Sequence, residues 1–528
     1  MIIEVNIFHG KGFRKLAAGL SGLMCMLCLS CSSGKDGGVS SEGTPWHWEE
    51  GTIVVETPER PEGQQHALQM RAPKLEAVHI GIVGLGMRGP GAVLRLTNIP
   101  GVQIVALCDH ELERAEKCQQ MLKKKSMPKA ALYHGAEGYK DLCERKDIDL
   151  VYIATDWIHH FPVAKYALEH GKHTVIEVPS AMNLKQCWEL INLSEKNRKH
   201  CMILENCCYD WFEMTSLNMA QQGVFGELLY AQGAYIHFLD PYWKKYWKKD
   251  QDDKLGWRLR YNKEHRGDVY ATHGLGPVAQ AMNIHRGDRI VRLVAMDSKS
   301  ANGRKYVEEM SGQPCDSFRN GDQTVTLMRT QNGKMIQIQH NVMTPRPYNR
   351  LYQLTGTLGF ANKYPVEGFA INMKGIPEDT AKPVNIQSSK IHRFISAENM
   401  KKVRSRFEHP ISKKYEAMAK EVGGHGGMDF IMDSRLIYCL QNGLPLDMDV
   451  YDLAEWCSLS ELGAISMDNG CVPVEFPDFT RGYWNRQQGY RHAYASPEEE
   501  KIAEEKAMEF TRKLKEQGAK EWGLENKN

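Results

Sequence analysis

Between residues 78 and 202, short Val/Ile-rich runs alternate with longer segments whose apolar positions recur every three or four residues. The runs Val78–Val83, Gln103–Cys108, Leu150–Ala154 and Thr174–Glu177 predict buried strands. Segments 89–98, 111–124, 136–143, 160–169 and 184–197 predict the helices between them. Such alternation predicts a parallel sheet covered on both faces. After Met202 the candidate strands lengthen and alternate in polarity, at 228–237, 290–298, 323–330, 334–341 and 350–355. Turn signals at Asn332-Gly333 and Gly356-Thr357 separate several of them, which predicts a mainly antiparallel sheet. Segments 428–441, 448–462 and 497–516 predict helices, 366–405 reads as loop-rich, and no internal repeat is present.

The two ends change this picture. Lys11, Arg14 and Lys15 precede an apolar run from Leu16 to Leu29, followed by Ser30-Cys31-Ser32-Ser33-Gly34. That order predicts a signal peptide at 1–31, with Cys31 as the lipidated first residue of a bacterial lipoprotein. A single membrane anchor is the alternative, although the run is shorter than the roughly 20 residues a span requires. Export to the periplasm, free or anchored in the membrane, is the expected location. Residues 32–75 are rich in Gly, Ser, Glu and Pro and read as a linker. A chain of 528 residues exceeds one ordinary compact unit and predicts two domains. The net charge of +2 gives no reason to expect nucleic acid as a partner. Of the 14 cysteines, Cys25, Cys28 and Cys31 lie in the leader, and the others show no Cys-x-x-Cys spacing. No metal site is therefore expected, and most cysteines read as small buried apolar residues.

Candidate chemistry begins at Gly84-Leu85-Gly86-Met87-Arg88-Gly89, which directly follows an apolar strand and opens a helix. In that context Gly84 permits a tight turn, Gly86 lets the backbone approach a pyrophosphate, and Gly89 allows close strand–helix packing. The helix N-terminus meets the phosphate charge. Asp109 ends the next strand, where an acid accepts from ribose hydroxyls; an unpaired acid there disfavours a 2′-phosphate and so favours NAD. FAD, or a chance glycine turn in a domain that binds no nucleotide, are the other readings. The expected architecture is α/β: a Rossmann dinucleotide-binding domain at 76–201, an α+β substrate domain with a mainly antiparallel open sheet at 202–485, and a helical extension at 486–528.

Loops after the carboxyl ends of parallel strands line the ligand crevice. This places Trp157 and His160, and Glu177-Val178-Pro179, beside the nicotinamide, with Glu177 also able to bind sugar hydroxyls. The other reading makes His160 a helix-start cap and Glu177 a solvent-facing acid. In the second domain Tyr270 and His273 stand one helical turn apart. A neutral imidazole can take a proton from a hydroxyl near neutral pH, and a phenol serves as acid or oxyanion donor; both could instead pack a domain interface. Trp243, Trp247, Trp257 and Arg258 suit the faces and hydroxyls of a pyranose. Tyr209, His237 and Tyr348 are further polar candidates. In Gly423-Gly424-His425-Gly426-Gly427, the glycines allow close backbone approach around His425, as would a merely flexible turn.

With these strings in place, the chain resembles the glucose–fructose oxidoreductase and inositol dehydrogenase superfamily from about residue 77 to 485. More narrowly it resembles glycoside hydrolase family 109, the NAD-dependent alpha-N-acetylgalactosaminidases. Supporting strings include Glu177-Val178-Pro179, Glu205-Asn206-Cys207-Cys208-Tyr209, Gly233-Ala234-Tyr235-Ile236-His237, Thr272-His273-Gly274-Leu275-Gly276-Pro277 and Gly424-His425-Gly426-Gly427-Met428-Asp429. The dehydrogenase branch usually has lysine where this chain has Val178, and an aspartate where it has Val269. The resemblance supplies Tyr270 and His273 as catalytic residues instead, with Arg258, Glu177 and Tyr209 as contacts to substrate or cofactor. It implies transient oxidation of terminal N-acetylgalactosamine at C3 by NAD, loss of the C2 proton and the C1 aglycone, water addition and re-reduction. NAD-dependent glycosidases of this kind are recognised exceptions to the usual carboxylate pair. The expected partner is a glycan bearing terminal N-acetylgalactosamine, and a homo-oligomer through the open sheet face is plausible. An NAD-dependent sugar dehydrogenase and a non-catalytic sugar-binding protein are the alternatives.

Overall fold

In the computed structural model, residues 37–246, 255–372, 386, 388 and 392–524 are described. The expected signal peptide with Cys31, and Trp247, lie outside them. Three short strands open the described chain: β1 (Gly37–Val39), β2 (Pro45–Glu49) and β3 (Thr52–Val54). The first domain follows with β4 (Val78–Val83), β5 (Val102–Asp109), β6 (Ala131–His134), β7 (Leu150–Ile153), β8 (His173–Ile176) and β9 (Cys201–Ile203). These six form one parallel sheet in the order β6-β5-β4-β7-β8-β9. Strand order thus reverses between β4 and β7, and the crevice at that switch point is where such sheets bind ligands. The strands read as continuous apolar runs because both faces are covered. Val78, Ile80, Ile82, Leu150, Val151 and Ile153 are wholly buried.

The second domain adds β10 (Leu228–Ile236), β11 (Ile290–Asp297), β12 (Thr324–Thr330), β13 (Met335–Asn341), β14 (Tyr352–Gly356), β15 (Gly359–Asn362), β16 (Gly368–Ile371) and β17 (Val474–Glu475). Together with β1–β3 they make an eleven-stranded sheet. Its pairings are antiparallel except β10 with β13 and β17 with β3. The helices Thr272–Ala281 and Val450–Asp468 pack on one face of this sheet. The first is buried throughout its length.

The segment read as a linker, 32–75, is therefore built into the second sheet from residue 37. Ile53 pairs with Val474, more than four hundred residues later, and is wholly buried. The stretch 366–405 is also less irregular than expected, since it includes β16 and the helix Ala397–Phe407. The C-terminal helix Pro497–Glu521 lies against the first domain. There the Thr511 hydroxyl oxygen accepts the Gly101 N–H at 2.8 Å, and Trp522 Nε1 donates to the Met127 carbonyl at 2.8 Å. None of the eleven described cysteines forms a disulfide, and all but Cys471 are buried. Among the described residues no helix is long and apolar enough to cross a membrane.

Candidate active site

The glycine loop after β4 has the shape that a dinucleotide demands. Gly84 sits at φ +93°, and a Cβ there would lie 2.5 Å from the Ala154 carbonyl carbon and the Thr155 nitrogen. A Cβ on Gly89 would fall 2.1 Å from the Gly84 carbonyl oxygen, so the helix Gly89–Leu96 starts directly against the turn. Around Gly86 the nearest protein atom to such a Cβ is 3.5 Å away, which leaves its backbone open on the crevice side. These residues fit a pyrophosphate cradle. Met87 projects outward, 63% exposed, whereas Leu85 turns into the core and its N–H donates to Asp109 Oδ2 at 2.6 Å. Leu85 thus shapes the loop, and its side chain faces away from the crevice.

Asp109 is not the unpaired acid expected from its position. It is buried, accepts from Leu85 and Glu111, and pairs with Arg114 at 3.4 Å. His160 also differs from its expected cofactor role. Its two ring nitrogens lie 2.7 Å from the Pro179 carbonyl and 3.1 Å from the Thr155 carbonyl, and the ring is buried. It braces the loops after β7 and β8 against each other. The cap of its helix is Asp156. Val178 is buried between those loops, ahead of a cis bond to Pro179.

Arg88 draws the glycine loop toward the second domain. Its Nε donates to Glu177 at 3.2 Å, Nη2 to Asp429 at 3.2 Å, and Nη1 lies 3.2 Å from His425 Nδ1. Two turns further on, Arg95 donates to Asp433 at 2.6 Å and lies 3.5 Å from Asp429. Burial opposes the Asp429 charge, but His425, Arg88 and Arg95 hold its carboxyl well below the usual range. Glu177 is therefore a buried partner of Arg88 rather than a solvent-facing acid.

The turn after β9 joins this cluster to the second one. Asn206 donates to Asp429 at 2.6 Å. Glu205, wholly buried, accepts His273 Nδ1 at 2.6 Å and the Cys207 N–H at 3.1 Å. Cys207 Sγ lies 3.4 Å from His273 Nδ1 and accepts from Arg350 Nη1 at 2.9 Å. Glu205, Cys207 and His273 offer ligand atoms within 4.8 Å of one another, a grouping that the cysteine spacing did not predict. A metal ion there would have to displace the proton between Glu205 and His273 and sit beside the Arg350 guanidinium, so a histidine–carboxylate dyad describes the trio better. Burial lowers the His273 pKa against the pull of Glu205. Burial would raise that of Glu205, but His273 holds it below its ordinary value.

Tyr270 stands beside the dyad, its ring 5.0 Å from that of His273 and stacked on Trp157 at 5.3 Å and 19°. Burial pushes the phenol far up and keeps it protonated. Arg258 lies over the Tyr270 ring at 4.6 Å and the Trp157 ring at 5.1 Å, with Nη2 3.4 Å from the Tyr235 hydroxyl. Tyr235 reaches His273 because β10 and the helix Thr272–Ala281 touch backbone to backbone: a Cβ on Gly233 would lie 2.0 Å from the Gly274 carbonyl oxygen. His237 takes the Tyr235 hydroxyl at Nδ1, 3.0 Å away, and packs edge-on against Tyr348. Burial, then Arg258 and Arg350, lower the His237 pKa to about 4.

Tyr209 is not brought to this site. It is 1% exposed and its hydroxyl donates to Asp447 at 3.1 Å, on the far side of the turn. Trp243 is also buried, while Trp257 packs edge-on against Trp157 with 38% exposure. Sequence reasoning gave no individual role to Glu205, Asn206, Cys207, Tyr235 or Arg350. For Glu205 the available signal was an acid two residues after a buried strand.

A Rossmann domain with an intact glycine cradle, facing an open-sheet domain that carries a histidine–carboxylate pair, defines a protein of the NAD-binding oxidoreductase fold. Residues 78–205 match the oxidoreductase family, NAD-binding Rossmann fold, and residues 209–486 match the glycosyl hydrolase 109 C-terminal domain. The chain is 67% identical over 507 residues to glycosyl hydrolase family 109 protein 5 of Phocaeicola vulgatus, covering 96% of this chain and 97% of that protein. To glycosyl hydrolase family 109 protein 1 of Bacteroides thetaiotaomicron it is 58% identical over 444 residues, covering 84% and 93%. Among solved structures it is similar in fold to a levoglucosan dehydrogenase in complex with NADH and L-sorbose (TM-score 0.55, 15% identity, 76% of this chain and 100% of that one). An Azotobacter vinelandii inositol dehydrogenase homologue complexed with NAD⁺ is likewise similar (TM-score 0.53, 16% identity, 77% and 99%). The chain belongs to glycosyl hydrolase family 109: it is a glycosidase built on an NAD-binding oxidoreductase fold, and its substrates are glycans.

Proposed function

We propose that this glycosidase removes terminal, alpha-linked N-acetylgalactosamine by transient oxidation at C3. The observation that supports this most directly is the buried Glu205–His273 pair at 2.6 Å, with Tyr270 beside it, in a chain that binds NAD. The Gly84–Gly89 loop and the start of its helix would hold the dinucleotide phosphates. Bound NAD supplies a hydride acceptor that turns C3 into a carbonyl, which acidifies the C2 proton, permits loss of the C1 aglycone, and is reduced again after water adds.

Glu205 accepts the Nδ1 proton of His273, which leaves the Nε2 lone pair free for a substrate hydroxyl. Burial keeps the imidazole neutral until it takes that proton, and the carboxylate then stabilises the imidazolium. Tyr270, held protonated, donates a hydrogen bond to the same sugar oxygen. Arg258, Tyr235, His237 and Tyr348 line the adjoining space and suit sugar hydroxyls and an acetamido group.

Incubation with paranitrophenyl N-acetylgalactosaminide tests this reading. Phenol release, deuterium at C2 in heavy water and no net NADH are expected. Stoichiometric NADH without cleavage would replace it with a dehydrogenase, and neither product would leave only sugar binding. We further propose export as a lipoprotein through Cys31, on the strength of the basic, apolar and small residues before it. Cys31→Ser should then move the protein out of the membrane fraction.

A further inference from the structure

Among the described residues, two arginines at this site have no acidic partner. Arg350 is 9% exposed, and its neighbours are a thiol, Cys207 at 2.9 Å, and the ring of Tyr348 at 5.6 Å. Arg258 lies among the rings of Trp157, Tyr235 and Tyr270 and touches one phenol. The Nε of each is buried without a hydrogen bond. Among the described residues neither guanidinium has a carboxylate within ion-pair distance. The nearby acids are already engaged: Glu177 and Asp429 by Arg88, and Glu205 by His273. Elsewhere in the molecule buried guanidiniums are matched, as Arg95 is by Asp433, Arg286 by Asp452 and Arg435 by Asp447. Burying a cation without its counter-charge is costly, and folds keep such a cost where a bound species supplies the charge.

Both arginines border the Tyr235–Tyr270–His273 cluster. Arg350 reaches it through Cys207, whose sulfur is 3.4 Å from His273 Nδ1. Arg258 reaches it through the Tyr270 face, 4.6 Å away. We propose that Arg350 and Arg258 form an oxyanion pocket that stabilises negative charge on the sugar C3 oxygen as its proton leaves for His273. In that step the O–H bond of the C3 hydroxyl breaks, the proton bonds to Nε2 of His273, and the bonding pair stays on oxygen. The same oxygen bears charge again when the C3 carbonyl draws electron density from C2. Cationic donors fixed before the reaction and shielded from water stabilise such charge without reorganising. The lowered pKa of His237 supports an overlap of the two cationic fields in this space.

This assignment rests on the proposed C3 chemistry, and the test separates the two. Arg350→Gln and Arg350→Lys are compared with wild type on neutral paranitrophenyl N-acetylgalactosaminide and on a sulfated counterpart, with NAD affinity by calorimetry and thermal melting as controls. Expected for Arg350→Gln is a fall in kcat of about 10²–10³-fold on the neutral substrate, the range for loss of one oxyanion donor. KM and NAD affinity should stay within about threefold, and Arg350→Lys should recover at least about tenfold. The groups facing His273 are Glu205, Cys207, Tyr235, Tyr270 and Arg350, with Glu177 acting at longer range. Of these, Arg350 depresses the His273 pKa, so its removal should move the acidic limb of the kcat profile to higher pH. A merely structural role would leave that limb in place. If Arg350→Gln does not fold, Arg350→Lys and Arg258→Gln carry the same comparison. A loss confined to KM, a loss seen only with the sulfated substrate, or an unmoved acidic limb overturns the oxyanion pocket. Absence of cleavage and of C2 exchange in wild type overturns the C3 chemistry instead.

Discussion

Replacing Glu205 by Gln isolates what the buried carboxylate does for His273. The amide keeps the shape, but it presents an N–H toward Nδ1 as readily as an oxygen, so the tautomer with a free Nε2 is no longer enforced. It also removes the negative charge beside the imidazolium that the proposed transfer of the hydroxyl proton to His273 would form. With the carboxylate oxygen 2.6 Å from Nδ1, the charge centres are separated by about 4 Å. At an effective dielectric of about 20 the lost attraction is about 4 kcal/mol, or roughly a thousandfold in kcat. Because Glu205 raises the His273 pKa, its removal should also move the acidic limb of the profile to lower pH, opposite to the shift expected for Arg350→Gln. The assay is phenol release across pH 4 to 9, as a range of about five units, with NAD affinity measured in parallel. Activity within about fivefold of wild type, with NAD still bound, would refute the dyad.

Three further outcomes follow from the geometry. Gly84→Ala should destabilise the fold by at least about 2 kcal/mol, because a Cβ at φ +93° meets backbone atoms at 2.5 Å; Gly86→Ala should melt like wild type yet weaken NAD binding, and calorimetry with thermal melts distinguishes the two. Tyr209→Phe should cost about 1 kcal/mol in denaturant titration, for loss of its bond to Asp447, and leave kcat unchanged. Asp447, buried yet held at about 2 by Arg435, has a folded pKa below its unfolded value, so its stabilisation is complete above about pH 4 and fades toward pH 2. Melting temperature over that range should fall more steeply for wild type than for a variant in which Asp447→Asn removes the titrating group.

The first domain was legible because its strands are buried on both faces and its glycine turn has chemical meaning in three consecutive roles. The missed strands are those where that signal fails. β6, Ala-Leu-Tyr-His at the sheet edge, is only partly buried and shows no apolar run. β9 has three residues, and β17 has two. The lead-in strands escaped notice because β3 owes its place to Val474, a pairing that local composition cannot reveal. The helix Pro410–Val422 received no assignment, although His409 caps it and Pro410 opens it. For the site, Tyr270 and His273 were readable from their close spacing, with Tyr270 in the turn just before the helix Thr272–Ala281 that carries His273. Glu205 lies 68 residues before His273 and Arg350 lies 143 beyond Cys207, and spacing does not encode either contact. Tyr209 was misplaced for a related reason. It shares a turn with Asn206 and Cys207, but a 3₁₀ turn points successive side chains in different directions, and the phenol enters the core.

That turn also links the cofactor domain to the sugar domain. Glu205 orients His273, Asn206 holds Asp429, and Cys207 meets Arg350, so three consecutive residues fix three separate walls of the cleft. Asp429 in turn receives Arg88 from the glycine loop, and Arg95 from the same first-domain helix is buried against Asp433. Separating the domains would strand these charges, and losing one partner of a buried pair costs about 3–5 kcal/mol. The C-terminal helix adds a second tie, bonding to Gly101 and Met127 on one domain while Glu500 accepts from Tyr438 on the other. Domains tied to each other at two places suit chemistry in which, as proposed, the dinucleotide is restored within each turnover and need not leave. The same contacts run from His273 through Glu205, Asn206 and Asp429 to Arg88 of the glycine loop, and a proton acceptor must hold its position to within a hydrogen-bond length for the proposed chemistry to run.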